Sequence, residues 1–398
     1  MAEPIRIGVS LPQSGRDARG AWASHYNAYR LWVDDLNSRG GLLGRSVDLV
    51  VYDDGSIPSR TVENYGRLIS DERVDLLFAP ARTRTIEQVA PLTEREGRLL
   101  IVGHGSGHAM FQQGRKYLFL GWPGTDFDDP RSFFEWGASL PAGRRPQRLA
   151  LLQPDDRRPS YTDDPLHGVN QHNVGIVQGA RHYAERFGVE LAYDGLYTDD
   201  PSTYDDLFGN VKATRPDMLM VTNYALQSGS RQLTSFMTAL RNAGLDEAFI
   251  WLYRVPSESE AGIGDRTLDP FQVSHRVDEL FEGVFTYDQW DARSPNPMAR
   301  EFVHAFVKRH DYLPDNISAG VYVACQLLRQ AVEGTGTCDN EQLRRYLLDN
   351  ELDTIMGTYR FQENGVPIAR MLLLQSIDGQ LQVVHPEEER TSDAMLRP

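Results

Sequence analysis

Ile5-Arg6-Ile7-Gly8-Val9-Ser10-Leu11 is followed by a helical period over Ala21–Arg39 that stops at Gly40-Gly41, and then by a second β-branched run over Ser46–Asp53. This stretch decides the fold class. Two short apolar runs separated by an amphipathic segment of helix length form a β-α-β unit, because parallel strands need a long crossover and a helix supplies it. Glycine suits the end of that helix, since a helix C-terminus commonly turns through the left-handed region. The pattern then continues with strands predicted at Leu76–Ala79 and Leu99–Gly103 and helices at Pro58–Asp71 and Ile86–Glu96.

The same rhythm restarts at Arg148–Gln153 and runs through Gly168–Phe187, Glu190–Leu196, Tyr204–Ala213, Met218–Asn223 and Ser230–Ala243 to Ala248–Leu252. At 398 residues the chain exceeds what one core usually organises, so the repetition reads as two similar α/β lobes with parallel-type central sheets. After Tyr253 a polar segment, Val255–Gln272, breaks the pattern. A strand at Gly283–Tyr287 and helices at Pro297–His310, Ser318–Glu333 and Gln342–Asp349 follow. Thr358–Phe361 and Arg370–Ile377 read as a hairpin around Asn364-Gly365, a dipeptide that favours a tight turn.

Composition excludes several functions. With 56 acidic against 41 basic side chains, a net charge of −15, the chain repels phosphate backbones and anionic lipid surfaces, so neither nucleic acid nor direct membrane insertion is expected. No run approaches the roughly 18 apolar residues that span a bilayer. Met1–Val9 enters the first strand with no basic or apolar leader segment ahead of it, so either the protein is cytoplasmic or an export signal was cut away and replaced by a start codon. The 2 cysteines, Cys325 and Cys338, lack metal-ligand spacing, and Cys325 lies in an apolar helical pattern.

Gly103-His104-Gly105-Ser106-Gly107 follows a strand, but it is neither a dinucleotide fingerprint, because His108 stands where the last glycine belongs, nor a P-loop, nor a nucleophile elbow. It remains a flexible loop at a strand's carboxyl end, where α/β proteins bind ligands. Arg82-Thr83-Arg84-Thr85 stands between a buried strand and a helix. It reads equally as an anion site at a helix N-terminus or as simple capping by Thr83 or Thr85. The spacing of His167, His172 and His182 does not place them on one helix face, and the Asp-Asp pairs lie in turns. No nucleophile–base pair, metal cluster or cofactor motif emerges, so no enzymatic activity, metal or cofactor is expected.

Asn37-Ser38-Arg39-Gly40-Gly41-Leu42-Leu43-Gly44 with Val47–Asp54 resembles the branched-chain amino acid binding proteins of the type I periplasmic fold. Asp75–Pro80, Ala90–Gly97, Tyr322–Leu328 and Met356–Phe361 with Asn364-Gly365 extend the resemblance along the chain in the family's order. It implies a periplasmic solute-binding component of an ABC importer, with the permease and ATPase subunits as partners and a small ligand held in a cleft between lobes. The implied lobes are residues 1–121 with 285–355 and residues 122–284 with 356–398, with crossovers near Gly121, Val284 and Met356. The late helices would complete the first lobe and the terminal hairpin the second.

By the same resemblance, Thr83 and Ser106 match the hydroxyls that hold the ligand carboxylate, and the His104 carbonyl matches the acceptor of its ammonium. Trp22 matches an aromatic residue of the first loop, Tyr224 a tyrosine that closes over the ligand, Tyr322 a tyrosine near the cleft, and Asn170 a second-lobe tyrosine position. The acidic residue that pairs with the ammonium falls on Tyr253 or Arg254, neither of which is a carboxylate. The expected ligand is therefore a carboxylate-bearing molecule, an amino acid first and an aromatic acid second, with Arg82, Arg84 or Arg254 as further partners of the anion. A ligand-sensing regulator or receptor of the same fold is the rival reading.

Overall fold

The computed structural model describes residues 3–155, 171–222, 231–256 and 277–396. Asn170, Tyr224, His167 and most of the polar segment Val255–Gln272 lie outside the described residues. The chain divides into two compact units. The first holds the described residues up to Thr125 together with Gln289–Arg370; the second holds those from Asp126 to Asp288 together with those from Met371 onward.

In the first unit β1 (Ile5–Leu11) pairs in parallel with β2 (Val47–Asp53) and β3 (Leu76–Leu77), and β4 (Leu100–Val102) pairs in parallel with β5 (Leu118–Leu120). Alternation of side chains, with its period of two, builds two apolar layers. Ile7, Val9, Leu76 and Ile101 join the layer of Trp32 and Phe302, whereas Leu77, Leu100 and Val102 join the layer of Tyr65 and Ile86. Helices cover these faces: α1 (Asn27–Ser38), α2 (Pro58–Ser70), α3 (Thr83–Arg95) and, from later in the chain, Pro297–His310 and Asn316–Thr335. The predicted helix Ala21–Arg39 is present but interrupted, because Trp22–Tyr26 forms a π-helical turn ahead of α1. Cys325 is fully buried in this core and Cys338 half-buried, both as free thiols.

The second unit is built on one sheet of 7 strands in the order β15-β14-β10-β9-β8-β6-β7. These are β6 (Arg148–Pro154), β7 (Glu190–Tyr197), β8 (Met218–Val221), β9 (Phe249–Leu252), β10 (Phe285–Asp288), β14 (Leu372–Ile377) and β15 (Gln380–His385). Strands β6 to β10 run parallel, whereas β14 and β15 are antiparallel. Leu152, Val221 and Leu252 face one apolar layer and Leu151, Met220 and Trp251 the other, as a sheet covered on both faces requires.

Chain passage between the units occurs at Thr125/Asp126, Asp288/Gln289 and Arg370/Met371, where the resemblance implies crossovers near Gly121, Val284 and Met356. The largest difference arises because β12 (Gly357–Phe361) pairs with β11 (Leu352–Thr354), which belongs to the first unit. The terminal hairpin is likewise divided. Asn364-Gly365 does turn the chain, but it joins β12 to the short β13 (Pro367–Ile368), while β14, buried along nearly its whole length, joins the large sheet.

Candidate functional site

The segment after β3 and the segment after β4 converge. Arg82 takes a left-handed φ of 74° just before α3, whose first turn closes as Thr85 and Ile86 N–H donate to the Arg82 carbonyl, so that the positive end of the helix lies at Thr83. Gly105 has φ 130°, and a Cβ there would lie 2.8 Å from the Thr83 backbone nitrogen and 2.9 Å from Ile86 Cδ1. At Gly107 a Cβ would lie 2.7 Å from Thr83 Cγ2. The glycines that suggested a phosphate loop are therefore needed for close packing: they let the 103–107 loop rest on the first turn of α3. Between them Ser106 is 3% exposed, and its hydroxyl has no hydrogen-bond partner among the described residues. Arg82 is held beside the helix end by Asp17, 2.7 Å away.

His25 was not singled out in the sequence and is central here. It lies in the π-helical turn, 2% exposed, with Nδ1 3.0 Å from Ser24 Oγ and Nε2 3.2 Å from Nδ1 of His104. The His104 ring lies 5.6 Å from that of Trp122. Trp22 stacks on Tyr26 with ring centroids 3.7 Å apart. Nothing local marks His25, since a lone histidine in a helical pattern is ordinary; its environment is made by residues remote in sequence.

Burial first, and then the charge of Arg82, push the His25 imidazole down from 6.5 to about 3. It is neutral at pH 7. An unfolded chain would take the proton near 6.5, whereas the folded one holds out to about 3, so the unfolded state binds more protons in that window. The stability contributed by neutral His25 is complete above pH 6.5 and is lost as pH falls toward 3, at about 1.4 kcal/mol per pH unit. Urea unfolding of the protein and of His25→Gln at several pH values should show the two stabilities converging by that slope below pH 6.5; parallel curves would contradict it.

Tyr322 is placed elsewhere. It stacks on Phe302 at 4.4 Å, inside the helical layer of the first unit, and burial followed by Asp35 pushes its phenol up to about 12. In the second unit Tyr253 and Arg254 follow β9. The Arg254 guanidinium carbon lies 5.5 Å from the ring centre of Tyr253 and 5.7 Å from that of Tyr287. Asp129 is 1% exposed, and its Oδ1 has no hydrogen-bond partner among the described residues. Burial, and then Asp126, push its carboxyl well above the usual range, against the pull of Tyr287 and Arg254. Thus Trp22, Arg82, Thr83, His104 and Ser106 are brought to one region of the first unit, with His25 and Trp122 added. Tyr253 and Arg254 form a cluster in the second. Asn170 and Tyr224 lie outside the described residues. No helix among the described residues is long and apolar enough to cross a membrane.

A family profile described as periplasmic binding protein matches residues 4–380. The Leu/Ile/Val-binding protein of Escherichia coli (strain K12) is 21% identical over 366 residues, covering 92% of this chain and 88% of that protein. The Leu/Ile/Val/Thr-binding protein of Salmonella typhimurium is 21% identical over 364 residues, covering 92% and 88%. Among solved structures, an ABC transporter substrate-binding protein from Desulfitobacterium hafniense in complex with Leu superposes with a TM-score of 0.72 at 18% identity, covering 96% of this chain and 100% of that one. A solute-binding protein of an ABC transporter from R. palustris, in complex with benzoate, gives 0.65 at 17% identity, covering 98% and 99%.

Proposed function

This chain belongs to the periplasmic binding protein family, and from that premise we propose that it is the extracytoplasmic solute-binding component of an ABC importer that takes up a small carboxylate-bearing ligand. The observation that carries the ligand class is the Ser106 hydroxyl, 3% exposed and without a hydrogen-bond partner among the described residues, set on the helix end at Thr83. A carboxylate accepting from the Ser106 and Thr83 hydroxyls would gain charge-assisted hydrogen bonds and meet the positive end of the helix. Trp22 and the carbonyl of His104 in the first unit, and Tyr253 and Arg254 in the second, are the further described candidates for ligand contact.

Function then needs no covalent step. A ligand with higher affinity for one form of the protein shifts the population toward it, and the permease and ATPase partners would read that form. Periplasmic residence, an amino acid as ligand and the absence of catalysis are supported by family membership and by the relatives that bind leucine, isoleucine and valine. An aromatic acid is the second reading, favoured by the Trp22–Tyr26 stack and by a structural neighbour complexed with benzoate.

A thermal-shift screen tests the reading, because a ligand that binds only the folded form raises its melting temperature. Carboxylates should raise it and their primary amides should not, since an amide brings no charge to the helix end. Equal shifts with acid and amide would refute the carboxylate assignment.

A further inference from the structure

We propose that the π-helical turn Trp22–Tyr26 is the positioning device of the candidate site in the first unit, with His25 and Tyr312 as its positioning residues. Tyr312 holds the turn in its wide form, and His25 holds His104 and with it the loop that carries Ser106. The ligand-affinity arm of the test rests on the carboxylate reading above; the arrangement itself does not.

π-Helical turns are rare and occur frequently at functional sites. This one is secured from outside its own backbone. The Asn27 N–H, which in an α-helix would donate to the Ala23 carbonyl, donates to those of Trp22 and Ser24. The hydroxyl of Tyr312, 289 residues away in the chain, donates to Ala23 in its stead and accepts from Asn27 Nδ2 at 2.8 Å. Tyr312 is fixed in turn edge-on against Phe306, with ring centres 5.3 Å apart. Inside the turn, the Ser24 hydroxyl donates to the Gly20 carbonyl at 2.8 Å.

That last bond gives the next ones their direction. A hydroxyl has one hydrogen, and Ser24 places its own on Gly20, so it accepts from His25 Nδ1–H. His25 is neutral at pH 7, so with the proton on Nδ1 its Nε2 is an acceptor, and His104 Nδ1–H donates to it. The chain therefore runs one way, from His104 through His25 and Ser24 to the Gly20 carbonyl. Elsewhere the loop is held by close backbone approach, Gly105 on Thr83 and Gly103 on Val321. His25 adds a side-chain anchor to these. The same turn carries Trp22, stacked on Tyr26, so one element sets two parts of the candidate site.

Long-range proton–nitrogen correlation spectra of the full-length protein at pH 7 should show His25 with its proton on Nδ1 and none on Nε2. The resonances are assigned by their loss in His25→Phe or His25→Gln, whichever folds. The reverse tautomer, or a mixture, overturns the directed chain, and so does a single Nδ1–H tautomer that persists in Ser24→Ala, where the acceptor is gone. Tyr312→Phe deletes one hydroxyl and keeps the ring. In protein labelled with 5-fluorotryptophan it should shift or broaden the Trp22 resonance, assigned by Trp22→Phe, and it should move the Ser106 amide, as should His25→Phe. Loss of stability with both resonances in place would overturn the positioning role and leave a structural one. In calorimetric titrations with leucine and with benzoate, Tyr312→Phe should bind whichever of the two the wild type binds about five- to tenfold more weakly. Equal affinity overturns the positioning role. A wild type that binds neither overturns the carboxylate reading for these two acids, and the resonances then decide the turn by themselves.

Discussion

Ser106→Ala is expected to weaken binding of the best carboxylate ligand by about ten- to a hundredfold, with the melting temperature of the ligand-free protein unchanged or slightly raised. The two halves of this expectation have one cause. In the free protein no hydrogen bond joins the Ser106 hydroxyl to another described residue, so deleting it removes no such bond. In the complex it would donate to an anion, and hydrogen bonds to charged groups contribute about 1.5–3 kcal/mol. Thr83→Ala should act in the same direction. Calorimetric titration of the two variants, beside scanning calorimetry without ligand, checks both halves. Unchanged affinity in Ser106→Ala would place the carboxylate somewhere else, and a large drop in the melting temperature would mean that Ser106 serves the fold.

Gly320→Ala is expected to lower stability by about 3 kcal/mol, which for a body of this size corresponds to roughly 6–12 °C in melting temperature. Gly320 lies inside the helix Asn316–Thr335, where alanine would ordinarily be favoured by about 1 kcal/mol. Packing reverses the sign. A Cβ at this position would lie 2.0 Å from Trp122 Nε1 and 2.3 Å from the Gly103 carbonyl oxygen. The carbonyl cannot give way alone, because a Cβ at Gly103 would itself lie 2.5 Å from Val321 Cα: helix and loop touch backbone to backbone. Displacing that loop also moves Ser106, so affinity should fall with stability. Gly66→Ala is the control, being a helical glycine with nothing within 4 Å of the added carbon, and it should be neutral or stabilising. If Gly320→Ala and Gly66→Ala behaved alike, the close approach would not exist.

Much of the fold was legible because local periodicity follows burial. The bounds of β1, Tyr204–Ala213 and Pro297–His310 agree residue for residue between the sequence pattern and the structure. Elements missed in the sequence are those with too little pattern to detect. Leu118–Leu120 spans 3 residues, and Arg131–Ser139 follows a proline and carries aromatic residues on a short helix. The divided hairpin failed for a different reason: Asn364-Gly365 specifies a turn but not the partner beyond it, and the apolar run Leu372–Ile377 gains more by being buried on both faces of the large sheet.

From the residues alone came the α/β class, the repetition of one architecture, the acidic exterior and the two loops at strand ends that hold Thr83 and Ser106. These are properties of short windows, set by side-chain period, charge and glycine. Only the tertiary structure decided that Gly105 and Gly107 serve a loop-on-helix contact, that His25 is a buried neutral imidazole against His104, and that Arg254 stands over the Tyr253 and Tyr287 rings. Each of these depends on residues far apart in the chain, and both the energy of a buried polar or charged group and the room for a Cβ are fixed by the neighbours that folding brings to it, which no local pattern contains.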